Sequence, residues 1–243
     1  MKDLLESVCI LQEDGLEIGF AHRSFQEYFA AVYLVNMPQD KLKELLPQLA
    51  RRGTDSVFTM MNDMNHDLFE SSYVIPMINK THRLTKALKE KPTAVEIALA
   101  YKLNIVVSSF LGPGRAISFR ATAPGRQDVW AFRQATSSLY PKYFEETRSK
   151  MPEYMEQDHR LATKLRDDEL KKIGKGKGSV YMNLTANDPD LTETQRGNIL
   201  DLFEQSGYAN WIRDTEDCFR KLREEVPKAH RRRTRDLKAV LRL

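Results

Sequence analysis

Apolar positions along the chain change spacing several times, and each spacing predicts an element. Residues 8–11 (VCIL) and 16–21 (LEIGFA) are short apolar runs. Between them, Asp14-Gly15 is a hairpin signal, so two strands and a tight turn are expected. Phe25, Tyr28, Phe29, Val32 and Val35 then recur at helical spacing, which assigns Phe25, Tyr28 and Phe29 to a core. Ser24, followed three residues later by Glu27, has the pattern of a capping box. Met37-Pro38 ends that helix.

From 39 to 101 the pattern is helical throughout. DKLKELLPQLARRG is amphipathic and stops at Gly53. DSVFTMMNDM, DLFESSYVIPMIN, HRLTKALKEK and PTAVEIALAYK predict short successive helices, and Pro92 sits where a first-turn proline is tolerated. No fixed period links them, so they are not a repeat array. The texture changes near Leu103. NIVVSSFL is apolar and β-branched, GPGR is a turn signal, and AISFRATA alternates as a partner strand would. DVWAFRQATSSLY predicts a helix and 143–172 a long charged one. GKGKG and the strand-like SVYMNL follow, and 191–243 is helical and strongly charged. The expected fold is mostly α with a smaller α/β part.

Composition narrows this picture without naming a partner. Apolar content of 41% and charged content of 30% suit a folded protein rich in helix rather than a disordered chain. A net charge of +4, from 38 basic and 34 acidic residues, is too small an excess to argue for nucleic acid by itself. No window approaches ~18 consecutive apolar residues, so no membrane partner is expected. The N-terminal MKDLLESVCILQEDG lacks the features of a secretion signal. Two cysteines, Cys9 and Cys218, suggest a reducing compartment without a disulfide framework, hence the cytoplasm.

The hairpin and helix carry one specific motif. Phe20, His22, Phe25, Gln26, Glu27, Tyr28, Phe29, Ala30 and Ala31 form F-x-H-x-x-F-Q-E-Y-F-A-A. This stretch resembles the winged-helix end of NACHT-type STAND nucleotide switches, over roughly the first 35 residues. The resemblance implies that His22 contacts the phosphate of bound ADP and helps lock an inactive state. The physics is compatible, because a helix N-terminus presents free N–H groups and partial positive charge to an anion. The sequence departs from the family in one large respect. It contains no G-x-x-x-x-G-K-[ST] loop and no apolar strand ending in acidic residues for magnesium.

The resemblance therefore implies the C-terminal part of a larger switch: a winged-helix remnant at 1–37, a helical connector at 38–101 and a sensor-like α/β region at 102–243. It also implies a regulatory role, often in bacterial anti-phage defence, with no catalysis by this chain. ADP or ATP with magnesium would belong to a NACHT ATPase core of the same protein, and this chain would hold no cofactor itself. A trigger, either a phage protein or a nucleic acid, would drive the switch towards oligomers.

Other constellations are weaker. In IGKGKGSVYMNL, Lys175 and Lys177 flank flexible glycines and are candidates to touch phosphate or an acidic partner. The last segment, KAHRRRTRDLKAVLRL, offers Arg231, Arg232, Arg233 and Arg235 for the same purpose. Together they support an alternative reading as a nucleic-acid-binding module, although the tail lacks aromatics for stacking bases. His66, His82, His159 and His230 show no metal-ligand spacing, so no metal is expected. Asn65-His66-Asp67 and Asp158-His159 read as surface polar residues. Asp188, Asp190 and Glu193 precede a helix and are ordinary partners for its dipole, with a metal-dependent nuclease as a weaker option. Trp130, Phe132, Tyr140, Tyr143 and Phe144 gather in fifteen residues and suit either a core or an interface.

Overall fold

A computed structural model describes residues 10–14, 17–51, 56–101, 104–110, 116–122, 127–164, 179–183 and 192–241. Gly15, Gly53, Cys9, Asp188, Asp190 and Arg242 lie outside them, as does the glycine-lysine turn with Lys175 and Lys177. The chain is mostly helical, with small antiparallel sheets, as the spacing predicts.

β1 (Leu11–Asp14) and β2 (Glu17–Phe20) pair as the expected hairpin, with Leu11 opposite Phe20. α1 (Arg23–Val35) follows, then α2 (Gln39–Ala50) and α3 (Val57–Met64). A short helix α4 (His66–Phe69) runs through a π-helical turn at Glu70–Val74 into α5 (Ile75–Thr85). This joins segments that the pattern divides. The widened turn lies directly ahead of Pro76, whose missing N–H cannot bond the Ser72 carbonyl.

α6 (Ala94–Ala100) begins with a complete capping box between Thr93 and Glu96. β3 (Asn104–Phe110) lies between β4 (Ala116–Thr122) and β5 (Ser179–Asn183), antiparallel to both. α7 (Gln127–Leu139) is the predicted helix. The single long helix expected at 143–172 is broken: α8 (Pro141–Ser149) ends at Lys150 and α9 (Met151–Lys164) starts again. Pro152 is the reason, since its ring would clash with the Arg148 carbonyl in a continuous helix. α10 (Glu193–Glu204) and α11 (Gly207–Leu241) complete the described chain.

Contacts group the chain into two units. One comprises Met1–Met77, Ala131–Leu139 and Val226–Leu243; the other comprises Ile78–Trp130 and Tyr140–Glu225. In the first unit Phe58, Phe69 and Tyr73 form an aromatic cluster with ring centroids 5.0–5.6 Å apart. Phe132 meets Tyr73 edge-on, and Leu42, Leu46 and Met61 are fully buried around this region. Edge and tilted aromatic pairs of this kind add about 0.5–1.5 kcal/mol beyond the area they bury.

In the second unit Ile97, Phe144, Ile199, Phe203, Phe219 and Leu222 are buried. Glu204 accepts from the backbone N–H of Val95 at 2.7 Å, tying α10 to the start of α6. Of the five aromatics left open by the sequence, Phe132, Tyr143 and Phe144 are core residues, while Trp130 stacks on Trp211 at 5.0 Å.

Candidate functional site

The first candidate surrounds the start of α1. His22, not Ser24, is the N-cap, and its Nδ1 accepts the Ser24 backbone N–H at 3.1 Å. The Ser24 hydroxyl lies 2.6 Å from the same nitrogen. A ring nitrogen that accepts an N–H carries no proton, so the neutral imidazole keeps its proton on Nε2. Among the described residues, nothing hydrogen-bonds Nε2. His22 therefore combines a cap with an exposed, unused donor.

Glu27 is not the partner in a capping box. Its carboxylate accepts from the Ser56 hydroxyl at 2.7 Å and from Arg23 Nε at 2.7 Å. The Ser56 bond is the main reason Glu27 is held below the usual carboxylate range, against the opposing effect of burial. Arg23, Gln26, Glu27 and Ala30 line a cavity of about 390 Å³ that Val57 and Phe58 close from the other side.

The buried face of α1 differs from the predicted one. Ala31 and Leu34 are buried, whereas Tyr28 and Phe29 are exposed and Phe25 is half-buried. A shift from Val32 and Val35 to Ala31 and Leu34 is one residue, or roughly 100° about the helix axis. The physical cause is that α1 packs mainly against α3, and the Ser56–Glu27 hydrogen bond at the start of α3 sets against it the helix face that also carries Ala31 and Leu34. The aromatics instead face the two-stranded hairpin, which is too small to cover them. Phe29 stacks on Phe20 at 5.8 Å and meets Tyr28 edge-on at 5.5 Å. Ile18 and Tyr33 are exposed as well, and the five residues are 38–69% exposed.

The second candidate is the end of α11. Arg231, Arg232 and Arg235 are exposed there, and Arg232 approaches Asp236 at 3.9 Å. Arg233 is in a different situation. It donates to Asp67 at 3.0 Å and also pairs with Glu70. His230 lies 3.2 Å from Glu70 and 3.5 Å from Asp67, and His66 Nε2 lies 3.0 Å from the other Glu70 oxygen. The Glu70 side chain is only 2% exposed. Sequence reasoning missed this network, although Glu70 stands out as a lone carboxylate within the apolar run LFESSYVIP.

Asp67, Glu70 and His230 bring three possible ligand atoms within 4.8 Å of one another. The Arg233 guanidinium pairs with both carboxylates, so the group is an ion-pair network. No described helix is long and apolar enough to cross a membrane. No family model, curated protein or solved structure matches the chain.

Proposed function

We propose that this chain is a regulatory and sensing portion of a NACHT-like nucleotide switch acting in bacterial anti-phage defence. On this reading it performs no catalysis, and its nucleotide is held by an NTPase core that it restrains. The observation that carries the proposal is the start of α1. His22 caps the helix through Nδ1 and offers Nε2–H to solvent, beside N–H groups suited to an anion.

The exposed aromatic cluster of Phe20, Tyr28 and Phe29 supports the same reading, because contiguous apolar patches at a surface mark interaction sites. A nucleotide-dependent shift between closed and oligomeric states then requires only that the trigger bind one state better. The test is genetic and biochemical. The locus should encode an in-frame Walker loop upstream of Met1, and the product should retain ADP in a manner sensitive to His22→Ala. A locus without such a loop rules the proposal out.

A second reading, nucleic-acid binding, is favoured by the exposed Arg231, Arg232 and Arg235 with Lys228 and Lys238 on the same helix end. Binding to DNA or RNA at two salt concentrations decides it. No binding at low salt removes it.

A further inference from the structure

The second unit contains a cationic cavity that neither reading uses. It has a volume of about 200 Å³, well above the ~10–15 Å³ needed for a single water. His82 and Thr85 reach it from α5, Lys86 and Lys89 from the loop that follows, and Arg220 and Arg223 from the middle of α11. Four permanent cations meet there with only two carboxylates in the lining, Glu90 and Glu216.

The pairing of these charges is lopsided. Arg220 is taken by Asp217, and Lys89 lies 3.5 Å from Glu96. Among the described residues, however, no carboxylate is within ion-pair distance of Arg223 or Lys86. Arg223 instead directs one N–H at His82 Nδ1, 2.7 Å away. That contact fixes the tautomer: His82 accepts through Nδ1 and carries its proton on Nε2. The cavity wall thus offers the Arg223 guanidinium and the Lys86 ammonium with no carboxylate at ion-pair distance, beside Arg220 and Lys89, whose partners Asp217 and Glu96 do not line the cavity.

Glu216 answers these cations only in part: it is buried and accepts the Tyr101 hydroxyl, and burial raises its carboxyl towards the neutral form against the opposing pull of that hydrogen bond, Arg223 and Arg220. The groups around His82 act in the opposite sense. Burial first, then Arg223 and Lys86, lower its proton affinity. A bound dianion would offset the repulsion that Arg223 and Lys86 exert on a protonated His82, and guanidinium and ammonium groups around a concave space are the usual donors to phosphate oxygens.

We infer that the cavity formed by His82, Lys86, Lys89, Arg220 and Arg223 is a binding site for a small phosphate-bearing anion. Phosphate is the recognised group, and the volume leaves room for an organic body attached to it.

The test is calorimetric titration of the 243-residue chain with inorganic phosphate, a nucleoside monophosphate and the matching nucleoside, at low salt. Inorganic phosphate should bind saturably with a dissociation constant in the millimolar range or tighter. The nucleoside alone should not bind. A nucleoside monophosphate that binds tighter than phosphate shows that the organic body enters the cavity, and equal affinity assigns the site to the phosphate group alone. Arg223→Gln and Lys86→Gln should each weaken binding about fivefold or more. Lys86 is exposed, so its variant keeps the test valid if Arg223→Gln fails to fold. A combined Arg231→Gln, Arg232→Gln and Arg235→Gln variant should bind phosphate as the parent does. By NMR, phosphate should move the His82 titration to higher pH. Absence of saturable binding up to about 10 mM phosphate, or equal binding by both cavity variants, overturns the inference.

Discussion

Replacing Arg233 with methionine removes the guanidinium that balances Glu70 while keeping most of the side-chain stem. Glu70 is left almost fully buried, beside His66 at 3.0 Å and His230 at 3.2 Å. Removing one partner of a buried pair costs about 3–5 kcal/mol. Arg233 is itself 39% exposed, and solvent screens part of its interaction. The expected loss is therefore about 2 kcal/mol, or about 4–8 °C in Tm for a chain of this size. Thermal unfolding followed by circular dichroism measures it. The informative comparison is the double variant Arg233→Met with Glu70→Gln, which removes the stranded charge and should recover at least half of the loss. A single variant as stable as the parent, or a double variant that loses the two effects additively, would refute the assignment of Arg233 as the counter-ion.

Three further outcomes follow from the geometry. Burial raises the Glu216 carboxyl above its unfolded value, so its contribution to stability is present at low pH and lost as pH rises through the folded value. Glu216→Gln should therefore gain in Tm relative to the parent between about pH 4 and about pH 8, and a difference that stays flat over that range would count against it. A Cβ at Gly207 would fall 1.9 Å from the Tyr154 carbonyl oxygen, so Gly207→Ala must push α9 and α11 apart. About 3 kcal/mol or more should be lost, as a lower urea midpoint, and an unchanged midpoint would contradict the close approach. If the end of α11 binds nucleic acid, the combined Arg231, Arg232 and Arg235 change to Gln should weaken binding and flatten its salt dependence, with Arg233→Gln adding little.

How much of this was legible in the sequence depends on how local each feature is. Short apolar runs and turn chemistry located the hairpin, although its first strand runs over Leu11–Asp14 rather than 8–11, and the β-branched run at 104–110 located the central strand of the larger sheet. The helical spacing from residue 25 located α1 but not its orientation. Spacing alone cannot tell Val32 from Ala31 as the inward position when both are apolar and the packing partner, α3, comes later in the chain. The Ser24–Glu27 pattern failed as a cap because His22 took that role and Ser56 claimed Glu27. Both ionic sites join segments more than 130 residues apart: Glu70 to Arg233 and His82 to Arg223. No local pattern carries such pairings. In retrospect the i, i+3 pairs Lys86–Lys89 and Arg220–Arg223 are the one trace of the cationic cavity in the sequence.

The regulatory reading rests on His22, and nucleotide retention tests it most directly. If the locus encodes the proposed NTPase core, the chain is to be expressed together with it, purified without added nucleotide, and the bound nucleotide released and quantified. The parent should carry ADP, and His22→Ala should carry markedly less, with higher basal activity. Equal ADP retention and unchanged basal activity in His22→Ala would contradict the account.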